Sequence, residues 1–411
     1  MNQKRKLKMN NNNQLKNQKN MKTVKVLITG ILLFAISLSV KAQEEKKESE
    51  VRPFQITFVT PLGTNGLNAW NITNKFSINL YAGYNGGLDG VELSGFGSML
   101  KNNMKGAQIS GFGNIIMGTG KGVQVSGYFN YTKGYFSGVQ VSGFSNIIIN
   151  DAKAWQISGF GNVTTKKLDG AQIASFANYS NGITIGQASG FASINKGDLS
   201  GVQVSGFANV NTGLVQGVQI AGFANITKKL NGVQIGVFNY VDSLEKGIPI
   251  GFLTIVKNGY RAIEISGNET MYGNVSFKTG TKQFYNIFSV GGSYKDDKIL
   301  WGLGYGIGTM LPIKEKWNLG VELLSYQINE NKWHTEALNL HNKLQLTASR
   351  KVTKNIDIFG GLSWNVNVSE IEDCDGNPFE SSISPYTLFD KTYGNGNNVT
   401  MYPGFNVGVR F

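Results

Sequence analysis

Metal coordination, proton transfer and phosphate binding each leave a spacing signature, and this chain carries a fragment of all three. The segment 370–380 reads EIEDCDGNPFE and gathers Glu370, Glu372, Asp373, Asp375 and Glu380, hard oxygen ligands of the kind that hold calcium in a loop. Asp373-x-Asp375-x-Asn377 opens as a calcium loop opens, but the glycine and the distant bidentate glutamate stand at the wrong offsets. A solvated acidic loop is the expectation, with no metal site. Cys374 lies in the same loop and is the only cysteine, so an intramolecular disulfide and a thiolate zinc centre are both excluded.

The chain has two histidines. His341 falls on the polar side of an alternating segment beside Lys343, and His334 precedes it near Glu336. A hydrolase needs nucleophile, base and oxyanion donors together, and no serine or cysteine elbow accompanies these residues. Gly302-x-Gly304-x-Gly306-x-Gly308 imitates a phosphate-binding fingerprint, but its surroundings read as a strand with no helix to receive a phosphate. Such glycines let a strand bend or pack closely. The sequons at Asn71 and Asn268 are expected by chance in an Asn-rich chain. No catalytic residue, cofactor-binding residue or metal ligand is therefore assigned, no cofactor is expected, and the chain reads as a non-enzyme.

The elements around these residues are easier to read. With 53 Gly and 7 Pro in 411 residues, the composition suits a turn-rich all-β protein. A unit of the form G-V-Q-V-S-G-F-x-N starts at Gly90, Gly106, Gly122, Gly138, Ala154, Gly170, Ile185, Gly201, Gly217, Gly232 and Gly247, with a fading copy at Ala262. Within one copy, Val202, Val204, Gly206, Ala208 and Val210 alternate with Gln203, Ser205, Phe207 and Asn209, the period of a β-strand. The residues between copies, including Lys166-Lys167 and Lys228-Lys229, are polar and read as turns.

Two architectures accept this unit. In the first, each copy is one strand of an outer-membrane β-barrel meander, its length matching a tilted spanning strand. In the second, each copy is one coil of a parallel β-solenoid in which identical residues stack, joined to a C-terminal barrel of about ten strands that includes the two leading ones. Strand length favours the meander; constant spacing, and the poor fit of small Gly and Ala to lipid, favour the solenoid. The meander gives an odd strand count, which also favours the solenoid.

The last third has longer strands of dyad pattern. Ile356, Ile358, Gly360, Leu362, Trp364, Val366 and Val368 share one face, and Leu338, Leu340, Leu344, Leu346 and Ala348 oppose Asn339, His341, Lys343, Gln345 and Thr347. One face for lipid and one for water is the pattern of a transmembrane barrel. Tight connections at 312–316 and 353–355 alternate with longer ones at 329–337 and 370–398, and the chain ends on Phe405, Val407, Val409 and Phe411, all on one face. The expected organisation is a signal peptide over 1–42 (with a start possible at Met21), a flexible tail over 43–52, leading strands over 53–85, repeats over 86–268 and barrel strands over 269–411.

The signal assignment rests on Lys22 and Lys25 ahead of an apolar run from Val26 to Val40 and a small-residue site ending at Ala42. Residues 1–42 hold nine Lys or Arg and no acid, which leaves 30 basic against 26 acidic residues beyond them, net +4. Nucleic-acid binding loses its electrostatic support on that count.

The G-V-Q-[VI]-[SA]-G-F-[AG]-N copies, with TPLGTNG (60–66), FSINLYAGYNGG (76–87) and GIPIGFLTIVKNGYRAIEIS (247–266), resemble bacterial surface repeat-containing proteins. The likeness runs from about Phe54 to the C-terminus. It implies location in the cell outer membrane and a repeat architecture, and brings no catalytic residues with it. The functional expectation is a non-enzymatic outer-membrane or cell-surface repeat protein, structural or a passive pore. The alternative is a surface binding or adhesion protein whose solenoid is anchored by a barrel. Outer-membrane lipid is the expected partner, with a surface or periplasmic ligand left open.

Overall fold

The computed structural model describes residues 50–411 other than 296, 332, 335–336, 354, 373–378, 380 and 395. It selects the solenoid. About twelve coils of parallel β-structure are followed by an antiparallel sheet. Each coil has two short legs, as in Phe136–Ser142 with Ser145–Ile148 and Ala152–Ser158 with Gly161–Thr164. Equivalent legs pair in parallel register, Gln124 against Gln140 against Gln156 and Asn130 against Asn146 against Asn162. All eleven repeat starts from Gly90 to Gly247 fall in register with their neighbours in adjacent coils.

The continuous strand expected for each copy is instead two strands around a corner. Val202–Ser205 ends at Gly206-Phe207, and the next strand begins at Ala208. The same parity faces inward on both legs, but Gly206 and Phe207 at the corner both lie outside, so Phe207 stands with Val202 and Val204 rather than inside with Gln203 and Asn209. Glycine makes the stacking possible. Gly106 and Gly122 have φ of 122° and 126°. A Cβ on either would also collide with the carbonyl oxygen of the glycine one coil earlier.

Three further expectations change. The two leading strands, Glu50–Val59 and Ile72–Asn85, pair in parallel with each other and with the first coil, so they belong to the solenoid. The fading copy at Ala262 is no coil: Tyr260–Asn268 is a barrel strand, antiparallel to Gly273–Gly280 and to Asn397–Arg410. The parallel sheet therefore ends at Val256, ahead of the 268/269 boundary read from the sequence. Lastly, the barrel closes with eight strands rather than ten: Tyr260–Asn268, Gly273–Gly280, Tyr285–Lys295, Lys298–Lys314, Trp317–Glu330, Asn339–Lys351, Asp357–Glu370 and Asn397–Arg410. Its dyad pattern follows the sequence, with Leu344, Leu346, Leu362 and Trp364 outward and Asn339, His341, Lys343, Ser363 and Asn365 inward.

The two parts meet at the final coil. Asn286 donates to the Gly251 carbonyl at 2.7 Å and accepts from the Thr254 amide at 2.8 Å, while Thr279 Oγ1 donates to the Thr254 carbonyl at 3.0 Å. The barrel thus satisfies backbone groups that the last coil leaves open. The turn 257–259 then leads directly into Tyr260–Asn268.

Candidate functional site

Three regions hold the polar and apolar groups with functional potential: the solenoid interior, the barrel interior and the outer surface common to both.

Inside the solenoid the repeat glutamines form a one-way ladder. Each Nε2 donates to the Oε1 one coil earlier, from Gln234 to Gln219 (2.7 Å) down through Gln156 to Gln140 (2.9 Å) and Gln124 to Gln108 (2.9 Å). A chain of donors needs an acceptor at its end, and the first coil supplies Glu92, which takes the Gln108 amide at 3.1 Å. Glu92 is fully buried, and Asn85 and Ser98 also donate to it. The asparagines run the other way: Asn114 to Asn130 (3.0 Å), Asn130 to Asn146 (2.9 Å) and Asn146 to Asn162 (2.9 Å). Each also crosses the coil to a backbone carbonyl, as Asn130 does to Val141 at 2.7 Å. These amides are consumed by one another. Columns of Leu, Ile, Val and Phe, such as Leu168, Ile183, Leu199 and Val215, fill the rest of the interior.

The barrel interior is ionic. Lys278, with no exposed side-chain surface, lies 2.7 Å from Glu264 and 2.5 Å from Glu322. Arg410 joins Glu264 at 2.8 Å, and the Tyr285 hydroxyl donates to Glu322 at 2.6 Å. A second group holds Lys343 at 3.5 Å from Glu269, whose oxygens accept from Asn365 and from the Phe405 amide, each at 2.8 Å. At the mouth, Ser382 donates to Glu330 at 2.5 Å, and Ile383 is buried among interior side chains that include Leu324, Tyr326 and Ile328. Eight strands enclose only enough space for side chains, and here side chains occupy it.

The glycine run 302–308 belongs to this interior. A Cβ on Gly304 would strike the Tyr326 ring, and one on Gly308 the Tyr285 ring. The run makes room for aromatics. His341 is buried, its Nδ1 2.6 Å from Asn367 Oδ1, with Tyr326 and Tyr402 on either side. His334 is exposed, and Glu336 lies outside the described residues. Asp373, Cys374, Asp375, Asn377 and Glu380 of the acidic segment also lie outside them; Glu370, within them, accepts from the Leu338 amide at 2.8 Å. Among the described residues, no three His, Cys, Asp or Glu side chains converge as a metal would require. Below the long connection a polar cavity of about 440 Å³ is lined by residues including Ser369, Ser384, Asp390, Asn398 and Thr400.

The outer surface is the feature that sequence reasoning missed. Ten rings, Tyr81, Phe96, Phe112, Tyr128, Phe144, Phe160, Phe176, Phe191, Phe207 and Phe223, stack along the corner with centroids 4.7–5.2 Å apart. Ile109, Val123, Ile157, Val204 and Ile220 flank them, all exposed. The barrel wall continues this character with Ile265, Phe277, Leu303, Leu346 and Val407. Both parts bury polar side chains and present apolar ones over much of their outer surface. The recurrent Gly-Phe dipeptide was the available signal, because a glycine at which the chain turns interrupts the alternation and leaves the residue after it outside. Comparison of the chain with protein-family models, curated proteins and solved structures gave no match.

Proposed function

We propose that this chain is a non-enzymatic structural protein of the cell envelope, in which the eight-stranded barrel spans the outer membrane as an anchor for the solenoid. The observation that carries this reading is the barrel's inversion, an apolar wall around a buried ionic core, which is favourable in hydrocarbon and costly in water. The sequence resemblance to bacterial surface repeat-containing proteins and the signal-like segment at 21–43 point the same way. The filled interior argues for an anchor over a pore.

The loops bear on orientation. One rim of the barrel carries only short connections, 281–284, 315–316 and 352–356, and the other carries 269–272, 296–297 and the two longest, 331–338 and 371–396. Short turns face the periplasm in barrels of this type. The solenoid joins at the short-turn rim, so the reading places it on the periplasmic side, which disfavours adhesion through the repeats. A ligand-binding role at the opposite, surface side finds its support in the polar cavity under the long connection.

The test is to express the full chain in a bacterium with two membranes. The outer-membrane fraction should contain it, and it should migrate faster on an SDS gel unheated than boiled. A protein that stays soluble without detergent and shows no heat-dependent shift removes the reading. Discrete conductance steps in a planar bilayer would instead make it a pore.

A further inference from the structure

We infer that the solenoid is itself a membrane-inserted element, a blade whose aromatic edge lies in the hydrocarbon of the one leaflet next to the barrel's short-turn rim. The inference rests on the barrel reading above and adds the solenoid's lipid contact to it.

Each coil is amphipathic across its width. At the corner stand the stacked rings, with Phe160 and Phe207 44% and 45% exposed. At the opposite edge the turns carry exposed lysines such as Lys133 and Lys167, interspersed with aspartates. An apolar face set against a Lys-bearing polar face is the arrangement of elements that lie in the membrane interface. A contiguous apolar surface about twelve coils long, roughly 55 Å at ~4.8 Å per coil, exceeds what a water-facing surface ordinarily carries.

The junction sets the depth. The corner residue of the last coil, Phe252, stacks on Tyr305 at 4.4 Å and meets Phe288 edge-on at 6.1 Å, both on the outward side of the barrel wall. The polar edge of the same coil, 257–259, runs straight into the barrel rim. Leu253–Val256 thus descends from the apolar belt to the rim. Four residues span ~13 Å, close to half of a hydrocarbon core of about 30 Å. The corner backbone is also fit for lipid, where an unpaired amide is costly. Phe112 donates to Phe96 at 2.6 Å, Phe160 to Phe144 at 2.9 Å and Phe207 to Phe191 at 2.9 Å, coil to coil. Lipid is therefore the occupant that the continuity with the barrel wall and the opposed lysines select.

The experiment uses the full chain in lipid vesicles, with Cys374→Ser as background and one spin label per variant. Labels go at the corner (Phe160→Cys, Phe207→Cys), on the polar edge (Lys167→Cys, Lys229→Cys) and on the barrel wall (Leu346→Cys, Val407→Cys). Corner and wall labels should collide with oxygen several-fold more often than with a water-soluble nickel chelate, and the edge labels should show the reverse. Corner labels open to nickel, with wall labels in lipid, overturn the inference and leave the barrel reading intact. Corner labels shielded from both reagents also overturn it, because protein then covers the edge. Wall labels open to nickel bring down both. Should the corner variants not fold, Trp155 on the flank reports instead, through the emission difference between the unsubstituted chain and Trp155→Phe. Quenching by acyl-brominated lipid supports insertion, and quenching by iodide alone opposes it.

Discussion

The solenoid and the barrel both bury rows of polar side chains, and they satisfy them with different chemistry. The solenoid stacks neutral amides, Gln on Gln and Asn on Asn, whereas the barrel pairs Lys278 and Arg410 with Glu264 and Glu322. The difference follows from how strands are juxtaposed. Parallel in-register coils place the same residue type ~4.8 Å from itself, so a charge would meet its like, and only a group that both donates and accepts can form the column. Antiparallel strands around a closed ring bring unlike residues together, so opposite charges can meet. Glu92 supports the rule by its position. It stands at the acceptor end of the ladder, where its successor is Gln108 rather than another carboxylate.

Substitutions that exchange the two chemistries test this contrast. The largest loss is expected from Lys278→Met, which leaves Glu264 and Glu322 to share the single positive charge of Arg410. Breaking a buried pair in this way costs about 3–5 kcal/mol, read as a lower urea midpoint in detergent or vesicles. An unchanged midpoint would show that the ionic core contributes little to the barrel.

Next comes Gln156→Glu, which puts a carboxylate in mid-ladder, where Gln140 loses its donor. About 2–3 kcal/mol is expected at pH 8. The loss should shrink as pH falls into the carboxylic-acid range, because the protonated side chain can again donate to Gln140. A penalty independent of pH, relative to the unsubstituted chain, would count against the like-on-like argument.

The smallest effect is predicted for Glu92→Gln, below about 1 kcal/mol. Gln108 keeps an acceptor there, and the Asn85 amide, whose Oδ1 has no partner, can turn to accept from the new side chain. A loss as large as that of Gln156→Glu would mean that the terminal charge itself is needed.

Much of this was legible beforehand. The eleven repeat starts, the dyad strands from Asn339 onward and the polar interior position of His341 were readable because a period of two or of sixteen is a property of the chain alone. The partners of these interior residues were not legible: Asn367 holds His341, and the glycines at 302–308 clear space for Tyr285 and Tyr326, contacts that alternation along one strand does not specify. The apolar outer face of the solenoid was not legible, because the period-two reading ran straight through Gly206-Phe207 and put Phe207 with the amides.

Local sequence determined that the copies are extended, that they recur in one register and that each strand has two unlike faces. Whether those strands pair with their own copies in parallel or with neighbours in a meander was decided only by the tertiary structure, since alternation is the same in both. Which face turns inward was also decided there. A strand is indifferent to its own sidedness, and only closing the coil around Gln, Asn and Glu92 buries those groups where they can satisfy one another and leaves the aromatic edge outside.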